Sequence, residues 1–188
     1  NNLVTKIQRR YDVKTKKEKV FVEIGVCDFD TLEPLLKNGW KGYFVEPIPQ
    51  YADELSHLNI SECAISSYNG TMEMYMSKGI NEWSKGISHA VEQQGEKLLE
   101  YAGNKKFLDR KITVNCYTLQ TYLKRNNITQ IDYLKVDTEG HEMDIFEAYD
   151  WSVKPTFMKI EHYHINDIKL SEMFQEQGYI TSTERGDM

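Results

Sequence analysis

Four short apolar runs in this chain carry carboxylates at or near their ends. Val20–Gly25 (VFVEIG) contains Glu23 and Gly25, and Gly42–Glu46 (GYFVE) stops on Glu46. Ile131–Asp137 (IDYLKVD) stops on Asp137, and Phe157–Tyr163 (FMKIEHY) contains Glu161 and His162, with His164 just beyond it. After Asp137 come Thr138, Glu139, Gly140, His141 and Glu142, a dense polar opening to a helical stretch. Carboxylates at such positions can accept hydroxyl hydrogens, hold a hard cation or, when burial raises their pKa, take up a proton. Each also has a plain structural explanation. Glu139 and Glu142 sit where the helix dipole favours acids, and Gly25 fits a simple turn. Asp137, closing an apolar strand, is harder to explain that way. Acids at four strand ends together carry more weight than any one of them.

The elements that must position these residues alternate between strand and helix. Strands are expected at Val20–Gly25, Gly42–Glu46, Ile60–Ile65, Thr71–Met76, Ile112–Tyr117, Ile131–Asp137, Phe157–Tyr163 and Tyr179–Thr183. Helical spacing marks Asp30–Asn38, Pro49–Leu58, Leu119–Asn126, Glu139–Tyr149 and Ile168–Gln177, with Ile87–Tyr101 a further candidate. Such alternation predicts a parallel α/β sheet with helices on both faces. In sheets of this kind ligands bind at the carboxyl ends of the strands, near the point where strand order reverses. Gly25 would give a tight turn and a close approach of backbone to ligand. Glu46 suits the two hydroxyls of a ribose, because its oxygens can accept from both. The chain has no GxGxxG, so it lacks the set of backbone N–H groups that a dinucleotide pyrophosphate wants. S-adenosylmethionine has no phosphate; it presents an amino acid, a sulfonium and a ribose, and so calls for one glycine turn with acidic partners.

Length and composition bound the rest. The 188 residues are expected to form one domain, with residues 1–19 a basic lead-in carrying Lys14, Lys16, Lys17 and Lys19. The net charge of −6 gives no general attraction to nucleic acid or to an anionic membrane. The longest uncharged stretch, Ile112–Leu123, is far shorter than the about 20 apolar residues of a membrane span. Cys27, Cys63 and Cys116 are an odd set without a CxxC pair, which argues against a disulfide framework or a zinc ribbon and for reduced thiols in a cytoplasmic setting. The first residue, Asn1, is not Met, no signal peptide opens the chain, and the sequence reads as a trimmed piece.

At the residues quoted above, from about Val20 onward, the chain resembles the FkbM-type family of S-adenosylmethionine-dependent methyltransferases. The most specific segment is Ile131–Glu142 (IDYLKVDTEGHE), similar to the family's I-D-x-L-K-I-D-x-E-G-x-E signature. FVEIG, FVEP, CAISSYNG (Cys63–Gly70) and the strand carrying Glu161 support it. The resemblance implies a Rossmann-like class I methyltransferase fold: a mainly parallel seven-stranded sheet, here with its last strand shortened or missing. It implies that Glu23 and Gly25 line the methionine end of the cofactor, with Asp28 in the same turn. It further implies Glu46 on the ribose, Cys63 and Ala64 beside the adenine, and Asp137 beside the transfer centre. The family's D-x-G-A-N-x-G turn reads E-I-G-V-C-D-F here, so Cys27 and Phe29 replace Asn and Gly.

The expected reaction is O-methylation of a sugar, glycan or other small hydroxyl-bearing acceptor, with His141 or Glu139 as the base. Some sugar methyltransferases of this general fold use Mg²⁺, and Asp137, Glu161 and His162 are the candidate ligands here. Residues 77–109, broken up by glycines and containing Trp83 and His89, are a candidate lid or substrate wall. A chain this short would otherwise recognise its acceptor through the lead-in or a second subunit. The alternatives are a binding domain that keeps the fold without turnover, and a nicotinamide-dependent enzyme, disfavoured by the missing glycine fingerprint.

Overall fold

The computed structural model describes residues 18–27, 32–77, 89–90, 108–162 and 165–183. Strands β1 (Val20–Ile24), β2 (Lys41–Val45), β3 (Ile60–Ser61), β8 (Tyr133–Val136) and β9 (Phe157–Ile160) form a parallel sheet in the order β3-β2-β1-β8-β9. The chain therefore builds outward from β1 on one side and returns to build outward through β8 on the other. Strand order reverses between β1 and β8.

A second sheet holds β4 (Ala64–Ile65), β5 (Gly70–Ser77), β6 (His89–Ala90) and β7 (Leu108–Tyr117) in the order β4-β7-β5-β6. Only β4 and β7 run parallel in it; β5 is antiparallel to both β6 and β7. The described residues thus form five parallel strands and a separate four-stranded mixed sheet, rather than one sheet of seven.

The short helices are α1 (Glu33–Leu36), α2 (Pro49–Glu54), α3 (Leu119–Arg125), α4 (Glu142–Glu147) and α5 (Asp167–Glu176). Alternation along β1 and β8 divides the core in two. Val22, Ile24, Leu134 and Val136 pack with residues of α3, α4 and α5. Phe21 and Tyr133 pack instead with Leu32, Leu35, Trp40 and Leu55 around α1 and α2. A third cluster, including Tyr51, Ala64, Met72, Met74 and Cys116, joins α2 to the second sheet.

Several expected elements change. Ile60–Ile65 is two strands in different sheets, because the chain kinks where Cys63 N donates to Ser61 O at 3.0 Å. Glu139 and Gly140 have φ of 54° and 103°, left-handed values that delay the start of α4 to Glu142. The first expected helix shrinks to the single turn of α1. His89–Ala90, inside the expected Ile87–Tyr101 helix, pairs with Met74–Tyr75 as strand. Tyr179–Thr183 is not a strand: side chains hold it, with Tyr179 Oη donating to Pro155 O at 2.5 Å and the Ser171 and Thr181 hydroxyls 2.6 Å apart. Asp28, Phe29, His164, Trp83, Lys14, Lys16, Lys17 and most of residues 77–109 lie outside the described residues. Among the described residues no helix is long and apolar enough to cross a membrane.

Candidate active site

The carboxyl ends of β1, β2 and β8 open onto a cleft of about 830 Å³, counted out to open solvent. One wall comes from the parallel sheet: Gly25, Cys27, Val45, Glu46, Lys135 and the loop Asp137–Glu139. The other carries Ala64, Ile65, Met72 and Met74 from the second sheet, with Tyr51 and Cys63 beside them.

The floor is where β1 and β8 end together. A Cβ on Gly25 would lie 1.7 Å from the Asp137 carbonyl oxygen, and Gly25 has φ +79°. No other residue type allows this approach of the two strand ends without moving one of them. Asp137 N in turn donates to Ile24 O at 3.0 Å, so the turn after β1 and the start of the acidic loop are one unit.

Glu46 is buried in the cleft wall with both oxygens engaged. Oε2 accepts from Cys27 N at 2.7 Å and Oε1 from Ile48 N at 2.8 Å. The carboxylate therefore ties the turn after β1 to the turn after β2. A carboxylate has about four acceptor positions, so these two bonds alone do not exhaust it.

Glu23 does not line the cleft. It is fully buried opposite its register partner Lys135, with Oε1 accepting from Lys135 Nζ at 2.9 Å and Oε2 from Leu32 N at 3.2 Å. Lys135 Nζ also lies 3.6 Å from Asp137 Oδ2. The register dictates this pairing, because residues opposite each other on neighbouring strands share a face. Glu23 thereby aims a buried cation at the cleft floor and fixes the chain entering α1.

Asp137, Glu139 and Glu161 bring carboxylate oxygens within 4.8 Å of one another. His162, next to Glu161 in the chain, stands outside this group. Burial, then the charges of Asp137 and Glu142, push the Glu139 carboxyl up to about 7. Burial also comes first for Glu161, followed by the charges of Glu139, Asp137 and Glu142, and raises it to about 8. Glu161 Oε2 is buried without a hydrogen-bond partner among the described residues. Glu142 serves the loop instead: Oε1 accepts from Thr138 N and Oγ1, both at 2.7 Å, and Oε2 from Gly140 N at 3.1 Å.

His141 lines the cleft at the N-terminal boundary of α4, yet its ring nitrogens face protein groups. Nε2 is 3.0 Å from Ser66 Oγ, and Nδ1 is 3.7 Å from Asp144 Oδ2. Burial pushes the Cys63 thiol up to about 12, so it meets the cleft as a neutral apolar group.

Gly25, Glu46, Cys63, Ala64, Asp137, Glu139 and His141 are thus brought around one cleft, with Glu161 joined to the Asp137–Glu139 loop. Sequence reasoning missed Lys135, Ser66, Tyr51 and the two methionines. Lys135 did leave a signal, as a charge inside an otherwise apolar strand. Ser66 lay within the quoted CAISSYNG stretch, but nothing there pointed to its partner, which lies on a distant part of the chain.

Against known proteins, the family model for the methyltransferase FkbM domain matches residues 19–181. No curated protein and no solved structure matches the chain.

Proposed function

The chain belongs to the FkbM methyltransferase family, and we propose that it uses S-adenosylmethionine to methylate a hydroxyl of a sugar or another small polar acceptor. The observation that carries this reading is Glu46, held by two backbone N–H groups in a cleft at the β1/β8 switch point.

The cleft suits that cofactor in three zones. Tyr51, Cys63, Ala64 and Ile65 offer a largely apolar slot for a flat base. Glu46 faces the middle, where hydroxyls of a ribose would meet it. The Gly25 turn and Asp137 form the end that would take the ammonium and sulfonium. When bound, the cofactor supplies an electrophilic methyl group. The protein's own part is to orient the acceptor and remove its proton.

Glu139 is the proposed base. Its carboxyl, poised at about 7, can take a proton near neutral pH, whereas the His141 ring nitrogens face Ser66 and Asp144. Three free cysteines fit a reducing compartment such as the cytoplasm.

A second reading places a divalent cation at Asp137, Glu139 and Glu161, favoured by their close oxygens and by Glu161 Oε2, buried without a hydrogen-bond partner among the described residues. Turnover that survives chelation would remove it; turnover restored by Mg²⁺ would support it.

Calorimetry with S-adenosylmethionine, S-adenosylhomocysteine and NAD tests the cofactor, and transfer of a labelled methyl group to a panel of sugars and glycans tests the reaction. Binding of S-adenosylhomocysteine but not NAD is expected. Binding without transfer to any acceptor would favour a binding domain that keeps the fold, and tight NAD binding would overturn the reading.

A further inference from the structure

We infer that Ser66 is a positioning residue of this cleft: with His141 it forms a clasp that ties the second sheet to the parallel sheet and sets the spacing of the two walls. The inference rests on the proposed cofactor reading of the cleft. Its geometry stands on its own.

The two walls belong to different sheets. Ser66 follows β4, whose Ala64 and Ile65 line one wall, and His141 follows the Asp137–Glu139 loop of the other. The 3.0 Å contact between His141 Nε2 and Ser66 Oγ crosses from one sheet's loops to the other's. Neither end can drift. Ser66 is fully buried, and its N donates to Tyr117 O at 2.9 Å, which locks it to the end of β7. The His141 side chain is 12% exposed and its carbonyl accepts from Ile145 N at 3.3 Å, in the first turn of α4.

The surroundings also select a tautomer. Nδ1 faces the Asp144 carboxylate, which favours a proton on Nδ1. Nε2 is then left as the acceptor of the Ser66 O–H. A buried serine hydroxyl that loses this partner has no route to water, so the bond resists opening. The clasp holds the Asp137–Glu139 loop against the wall formed by β4. In this way Ser66, which does not line the cleft, bears on what the cleft can bind.

The test combines ring-nitrogen NMR of histidine-labelled protein at neutral pH with calorimetry using S-adenosylhomocysteine. Wild type is compared with Ser66→Ala, His141→Ala and His141→Gln. The signals absent from His141→Gln identify the ring. A single Nδ1–H tautomer is expected in wild type, giving way to tautomer exchange in Ser66→Ala. Affinity for S-adenosylhomocysteine should fall about 3- to 10-fold in Ser66→Ala and His141→Ala, the effect of one lost buried hydrogen bond. His141→Gln, whose amide can still reach the hydroxyl, should recover most of it. If Ser66→Ala fails to fold, the wild-type ring signals and the Ala/Gln contrast at His141 still decide. Unchanged ring signals and affinity in Ser66→Ala, tautomer exchange already present in wild type, or equal losses in His141→Ala and His141→Gln would each overturn the clasp. A wild type that binds no S-adenosylhomocysteine would count against the cofactor reading, and the ring signals would still test the clasp.

Discussion

At Glu46 each carboxylate oxygen already holds a backbone N–H, so the side chain enters the cleft with its orientation set before any ligand arrives. Glu46→Gln would place an amide N–H₂ against Cys27 N or Ile48 N, donor against donor. We expect S-adenosylhomocysteine affinity to fall by about 10- to 100-fold, the scale of charge-assisted hydrogen bonds. Calorimetry with affinity unchanged would remove Glu46 from the ribose assignment. Glu139 makes a different claim, on rate. A base must be ionised to act, so kcat should rise with pH through about 7, where burial places its carboxyl, and then level off. Glu139→Gln should lower kcat by about 10²- to 10⁴-fold and remove that rise, leaving cofactor affinity near wild type. A pH profile unchanged in the variant would return the role to another group. These acids were legible in the sequence because a carboxylate at the end of an apolar strand is conspicuous. Glu23 was equally conspicuous, and its partners show the limit of that sign: whether a strand acid faces a ligand or a lysine on the next strand depends on register, which only the paired strands fix.

At the scale of elements, the site depends on two turns with left-handed backbone. Gly25→Ala would drive a Cβ to 1.7 Å from the Asp137 carbonyl in a turn at φ +79°. A loss of about 3 kcal/mol or more is expected in urea unfolding, from backbone strain and overpacking together. Two residues on, Cys27 holds φ 57°, a conformation that asparagine tolerates better. Cys27→Asn should therefore raise stability by about 0.5–1 kcal/mol. A destabilised Cys27→Asn would mean that the thiol's packing outweighs the backbone relief. The strands of the parallel sheet were legible because they are apolar runs closed by glycine, proline or acid. The break at Cys63 was not, since Ile60–Ile65 is equally strand-like along its length and a 3.0 Å backbone bond decides the kink. The start of α4 was misplaced for a related reason. Acids in a first helical turn look alike in sequence, whether they continue the helix or, like Glu142, fold back to accept from the loop before it.

For the whole molecule, the net charge of −6 matters less than where the acids gather. Glu139, Glu142 and Glu161 all have carboxyl pKa values raised by burial, the first to about 7 and the last to about 8. A raised carboxyl pKa means that the folded state keeps protons which the unfolded chain has already released. Stability from these groups is therefore fully present below about pH 4.5, their ordinary value, and is lost as pH rises through about 7 to 8. The unfolding free energy of the metal-free, ligand-free protein, and with it the urea midpoint, should fall between pH 6 and pH 9, the free energy by about 1–3 kcal/mol after allowing for solvent screening. Glu161→Gln removes the largest of these shifts while keeping a polar group of the same shape. It should flatten the fall and be more stable than wild type at the alkaline end. Bound Mg²⁺, if the three carboxylates take it, should flatten the same curve in wild type and do little in Glu161→Gln. A midpoint that rises with pH in wild type would show that the acids are compensated by partners at this edge of the sheet, and the concentration of negative charge would then explain neither a proton held near neutrality nor affinity for a cationic sulfonium.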